Sequence, residues 1–77
     1  MVLKIISAED ILFEGEVDAV TLPGEVGAFT VLHNHASLIS TLVAGKITYS
    51  AKGVSEEKVV DGGLVSVDNN VVSVCIY

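Results

Sequence analysis

The chain has 77 residues and a net charge of -6, with ten acidic side chains set against four lysines and no arginine. A single domain of that size buries only about 60% of the surface its unfolded chain exposes, so a partner that covers part of it adds to its stability. The charge balance argues against nucleic acid as that partner, because phosphate contacts need clustered Lys and Arg, and it favours basic or neutral surfaces instead.

In chain order, Val2 to Ile6 is a short apolar run containing Lys4, and Ser7-Ala8-Glu9-Asp10 interrupts it with a turn or a single helical turn. Ile11 to Phe13 resumes an extended segment, and a reversal is expected at Glu14-Gly15-Glu16. From Val17 to Leu22 the alternation sets Asp18, Val20 and Leu22 against Val17, Ala19 and Thr21. Pro23-Gly24 is expected to close that strand, by removing a backbone donor and permitting positive φ.

Leu22 to Leu38 concentrates the unusual residues: the only proline, two of the seven glycines, one of the two phenylalanines and both histidines. Leu38 to Val43 is apolar on both faces, as expected of a strand covered on two sides, and Gly45 marks a reversal. Lys46 to Lys52 then alternates cleanly, with Ile47, Tyr49 and Ala51 inward. Lys52-Gly53-Val54-Ser55 is a turn, Glu56 to Val60 a strand, and Asp61-Gly62-Gly63 another reversal. Leu64 to Val67 and Val71 to Tyr77 are joined by Asp68-Asn69-Asn70, residues that tolerate left-handed backbone and suit a tight hairpin. Val72, Val74 and Ile76 should point inward.

No segment carries the i, i+3, i+4, i+7 apolar spacing of a sizeable amphipathic helix, while reversals recur at short intervals. The pattern predicts one all-β domain over 1–77, a two-sheet antiparallel β-sandwich or flattened barrel of about 8 to 10 short strands. No apolar run approaches the roughly 20 residues needed to span a bilayer, so any membrane association is expected to run through another protein. The lone Cys75 has no internal disulfide partner, and the chain opens without a signal-peptide pattern, which points to the cytosol. The 51% hydrophobic content reflects either an aliphatic core or apolar surface meant for a partner.

Candidates for chemistry are few. His33 and His35 form an H-x-H pair that would supply two metal ligands on one face of an extended backbone, but no third ligand stands nearby. Cys75 has little positive charge to stabilise a thiolate and reads as a partly buried strand residue. Glu14, Glu16, Glu25, Glu56 and Glu57 fall in or beside turns, where solvated carboxylates are expected. Gly24-Glu25-Val26-Gly27 lacks the lysine of a phosphate-binding loop and leads into no helix. No catalytic, cofactor-binding or metal residue follows from these patterns.

The ordered set Pro23-Gly24-x-x-Gly27, His35-Ala36-x-Leu38, Leu42-x-x-Gly45, Gly62-Gly63-x-x-x-Val67 and Asn70-x-Val72-x-Val74 resembles the N-terminal domain of the epsilon subunit of F-type ATP synthases, called delta in mitochondria. The resemblance covers about Val2 to Ile76. In the family, the histidine aligned with His35 usually follows Pro-Gly and precedes Ala-Pro-Leu; here it follows His33-Asn34 and precedes Ala36-Ser37-Leu38. Most members continue into a C-terminal two-helix hairpin that can inhibit ATP hydrolysis and, in some bacteria, binds ATP. These residues stop at Tyr77, so the fold expected of them is the sandwich without that hairpin.

The resemblance implies a non-catalytic rotor subunit at the foot of the central stalk, on the cytoplasmic face of a bacterial inner membrane, linking the gamma subunit to the c-ring. It implies no cofactor, and contact with the membrane only through the complex. On that basis Thr30, His33, Asn34 and His35 are expected to touch the ring, with Pro23, Gly24, Gly27 and Gly45 shaping the loop that carries them. The Val43-Ala44-Gly45 turn is a further candidate for the ring, outward apolar residues of one sheet for gamma. A biotinyl or lipoyl carrier module is the competing class, also small, acidic and all-β, but Lys46 and Lys52 lack its flanking signatures. A small hydrolase or metal enzyme rests on the two histidines alone.

Overall fold

Alternation organises the whole chain, as the run from Lys46 to Ala51 illustrates: Ile47 and Tyr49 are buried while Lys46 is exposed. The computed structural model describes residues 1–77, and all of its regular elements are strands. They are β1 (Val2–Ile6), β2 (Ile11–Glu16), β3 (Ala19–Gly24), β4 (Gly27–Leu32), β5 (Leu38–Ala51), β6 (Val54–Asp68) and β7 (Val71–Ile76). There are thus seven strands rather than eight to ten, because two of them run to 14 and 15 residues and absorb segments that the sequence divides.

Hydrogen bonding joins the strands in the order β2-β1-β7-β6-β5-β3-β4. All neighbours are antiparallel except β1 and β7, which pair in parallel from Val2 opposite Val71 to Ile6 opposite Cys75. The sheet becomes a sandwich by folding across the long β5–β6 hairpin. Along β5 the less exposed positions are Leu38, Ser40 and Leu42, then Gly45, Ile47 and Tyr49, so the inward parity inverts around Ala44. Opposite, β6 inverts at Gly62-Gly63, with Val60 buried on one side and Val65 and Val67 on the other. Strands that change layer at a bend make such a corner. The reversals expected at Gly45 and at Asp61-Gly62-Gly63 are therefore bends within continuous strands.

Beyond the corner, the first half of β5 and the second half of β6 lie with β7, β1 and β2; the remaining halves lie with β3 and β4. Between the layers, Leu3, Ile5, Val65, Val72 and Val74 pack with Val20, Leu22, Val31 and Ile47, all completely buried. Each such aliphatic side chain contributes about 1.5–3 kcal/mol through burial. No polar or charged residue is buried, so much of the high apolar content is an aliphatic core. Phe13 of β2 meets Tyr49 of β5 with ring centroids 4.5 Å apart and planes tilted by 42°, tying two strands that are not hydrogen-bonded neighbours.

Several turns sit a few residues from their expected places. β2 runs through Gly15 to Glu16, so the chain reverses at Val17-Asp18. Lys52-Gly53 and Asn69-Asn70 are two-residue turns with positive φ at both positions, 51° and 80° in the first, 49° and 61° in the second. That is the geometry whose twist matches antiparallel strands.

Candidate functional site

Leu22 to Leu38 divides between two ends of the sandwich. At one end, β3 and β4 close through the two-residue tip Glu25-Val26, between Gly24 and Gly27. Pro23 does not end its strand: it lies within β3 opposite Ala28, and the pairing of β3 with β5 slips between Thr21 and Gly24. An absent N–H at Pro23 accounts for a break in that ladder. Gly24 is required by proximity, since a Cβ there would lie 2.8 Å from the Phe29 ring and 2.7 Å from the Gly27 carbonyl oxygen. Gly27 takes φ of 141°, open to glycine. Gly45 lies under Pro23, where a Cβ would come within 2.8 Å of the proline Cβ. These four residues shape the hairpin end and the corner beside it.

His33, Asn34 and His35 occupy the other end of β4, about 17 Å away at the rise of an extended strand. The glycines and Pro23 therefore do not shape the histidine turn. That turn is closed by the His35 N–H, which donates to the Leu32 carbonyl at 3.2 Å, and by Asn34 in left-handed backbone with φ of 62°. His35 Nδ1 donates to the Ala36 carbonyl at 2.6 Å, and His33 Nδ1 lies 3.4 Å from the Met1 amino nitrogen. That amino group also donates to Glu16 Oε2 at 3.2 Å and to the Val17 carbonyl at 3.3 Å. Leu32, beside the turn, is exposed, while Phe29 is half-buried against the core.

Thr30 stands apart from the turn. It lies on the outward face of β4 opposite Thr21, with the two hydroxyl oxygens 2.8 Å apart. Of the four expected ring-contact residues, the fold brings His33, Asn34 and His35 together and leaves Thr30 on a sheet face.

Asn70 and Asp68 also belong to this end, although the sequence pattern does not mark them. The Asn34 N–H donates to Asn70 Oδ1 at 2.6 Å, Asn70 Nδ2 donates to Asn34 Oδ1 at 2.8 Å, and Ser37 Oγ donates to Asp68 Oδ1 at 2.7 Å. Asp68-Asn69-Asn70 was legible as a hairpin, but nothing local announced its bond to a residue 36 positions away. A shallow polar cleft lined by Asn34, His35, Ala36, Ser37, Asn69 and Asn70 opens between the two turns.

No group of three or more His, Cys, Asp or Glu side chains is gathered in a way that would hold a metal ion. Cys75 is exposed on β7 opposite Leu64, and not partly buried as its strand position suggested. The Tyr49 pKa is raised above 10.0 by burial first and then by the charge and hydrogen bond of Glu56.

The outer face of the β2-β1-β7-β6-β5 layer is polar toward β2 and β1, where Lys4, Glu14 and Glu16 face outward, and carries an exposed apolar patch where β5, β6 and β7 meet. Ile39 is 75% exposed, with Val43 and Leu64 close to half exposed, and Cys75 and Tyr77 alongside. Leu38 to Val43 is thus covered on one side only, where apolarity on both faces implied two.

Comparison with known proteins agrees with this architecture. The family model described as ATP synthase, Delta/Epsilon chain, beta-sandwich domain matches residues 1–76. Among curated relatives, the ATP synthase epsilon chain of Leptospira borgpetersenii is 39% identical over 72 residues, 94% of this chain and 57% of the relative. That of Sulfurimonas denitrificans is 41% identical over 75 residues, 96% of this chain and 58% of the relative. The chain therefore spans somewhat more than half the length of these relatives. A chain in the Euglena gracilis mitochondrial ATP synthase, OSCP/F1/c-ring, superposes with a TM-score of 0.89 at 23% identity, covering 96% of this chain and 48% of that one. One in the Tetrahymena thermophila mitochondrial ATP synthase central stalk and c-ring gives 0.82 at 13% identity, covering 97% and 61%. At those identities the superpositions speak for the fold.

Proposed function

The chain belongs to the ATP synthase delta/epsilon β-sandwich family, and from that premise we propose that it is a non-catalytic element of the rotor, joining the gamma subunit to the c-ring on the cytoplasmic side of the membrane. The observation that carries the proposal is a two-layer sandwich, closed on an aliphatic core, with two separate loop ends and an exposed apolar patch on β5, β6 and β7. Torque transmission asks for resistance to deformation, which dense packing and cross-strand hydrogen bonding supply.

In this reading the face bearing Ile39, Val43 and Leu64 lies against gamma, since apolar residues exposed together are the surface a protein partner covers. His33, Asn34 and His35 meet the polar loops of the ring, with Thr30 at the margin of that contact. A second reading has its own observation. The β3–β4 tip carries the Glu25 carboxylate beside a fully exposed Val26, and an acidic tip complements a ring loop containing Arg or Lys. Under it, the hairpin end meets the ring.

Replacing His33, Asn34 and His35 together with alanine tests the first reading. Co-purification of the chain with gamma and the c-ring should fall and coupling should weaken, whereas unchanged assembly and coupling would remove the histidine turn from the interface.

A further inference from the structure

The histidine turn does not hold its own shape. Its central residue sits in left-handed backbone, with the Asn34 N–H bound to Asn70 Oδ1 and the Asn34 Oδ1 bound in return by Asn70 Nδ2. Both amide orientations follow from this pattern, because a backbone N–H must meet an oxygen. Three residues on, Ser37 Oγ is bound by Asp68 at the other side of the same β6–β7 turn. Asn70 is itself anchored: its carbonyl accepts the Val2 N–H at 2.9 Å, and its own φ is 61°.

Position 70 therefore meets two demands at once. It must tolerate left-handed backbone, which Gly, Asn and Asp do and other residues resist. It must also offer an acceptor and a donor side by side to Asn34. Glycine satisfies the first demand only, aspartate the first and half of the second, asparagine both.

These bonds are exposed to solvent and lie outside the core. Exposed hydrogen bonds add little to global stability, and the β5–β6 and β6–β7 ladders form without them. Their effect is local: they order a polar turn before a partner arrives, so that the ordering cost is not met during binding.

We propose that Asn70 and Asp68 are positioning residues of the rotor contact, fixing the shape in which His33, Asn34 and His35 are presented. The contact end is then built from two turns, β4–β5 and β6–β7. The proposal rests on the reading of the histidine turn as a rotor contact.

The test compares Asn70→Gly, Asn70→Asp and the triple alanine replacement at 33–35 in the full-length chain. Each variant is followed by urea unfolding, amide hydrogen exchange and co-purification with gamma and the c-ring. Asn70→Gly keeps the parent's unfolding midpoint, speeds exchange at the Asn34 amide roughly fivefold or more, and lowers recovery of the complex by a similar factor. Asn70→Asp keeps most of the parent's protection and recovery, because its carboxylate still accepts from the Asn34 N–H and a flipped Asn34 amide donates to it. Parent-like exchange in Asn70→Gly overturns the clamp. Faster exchange with full assembly, while the alanine replacement weakens assembly, overturns the positioning role alone. Full assembly in every variant overturns the histidine-turn contact and the positioning role with it.

Discussion

The Tyr49 hydroxyl lies at the edge of the core and donates to Glu56 Oε2 at 3.3 Å, beside an apolar slot lined by Phe13, Val17, Ala51 and Val54. Burial disfavours the phenolate most, and the neighbouring carboxylate adds to the effect, so the folded state keeps this proton above the ordinary value of 10.0. The contribution to stability is complete below pH 10.0, and it is lost as pH rises through the folded pKa, because the unfolded chain releases the proton first. In a Tyr77→Phe background, phenolate absorbance should show Tyr49 ionising at lower pH in Glu56→Gln than in the parent, yet still above 10.0, since burial remains. A midpoint unmoved by Glu56→Gln would assign the whole shift to burial.

At the scale of elements, the decisive feature is the corner in the β5–β6 hairpin. Gly45 is overlain by Pro23, and Gly63 is packed against the backbone of Cys75 and Ile76. Gly45→Ala presses on a proline ring and should cost about 1–2 kcal/mol. Gly63→Ala meets backbone that has little room to move and should cost more, about 3 kcal/mol or above. Urea denaturation orders the two, and equal costs would mean that the corner yields as easily as the ring does. The strands themselves were legible in the sequence, because alternation such as Ile47, Tyr49 and Ala51 against Lys46, Thr48 and Ser50 is a direct image of the pleat. The corner was not legible as a corner. A glycine pair marks a reversal or a bend with equal force, and only the inward parity, even through Leu42 and odd from Gly45, separates the two. The division of Leu22 to Leu38 between opposite ends follows from the same physics, since Pro23 and Gly24 stay in the ladder and β4 carries the chain across the domain before the histidines.

For the molecule as a whole, the family is legible from an ordered set of short motifs, whereas the proposed contact residues are legible only in part. His33, Asn34 and His35 announce themselves by type, but Thr30 proves to lie on a sheet face and Asn70 enters only through the tertiary fold. An aliphatic core, two loop ends and an exposed apolar patch on β5, β6 and β7 are the features that the proposed place between two protein surfaces uses. The most direct measurement is site-directed cross-linking in the assembled complex from Asn34→Cys and, separately, Val26→Cys, each in a Cys75→Ser background. A rotor element between gamma and the ring gives a c-subunit adduct from Asn34→Cys, or from Val26→Cys if the hairpin end meets the ring. No c-subunit adduct from either end, with the chain absent from complexes that retain gamma and the c-ring, would contradict the assignment.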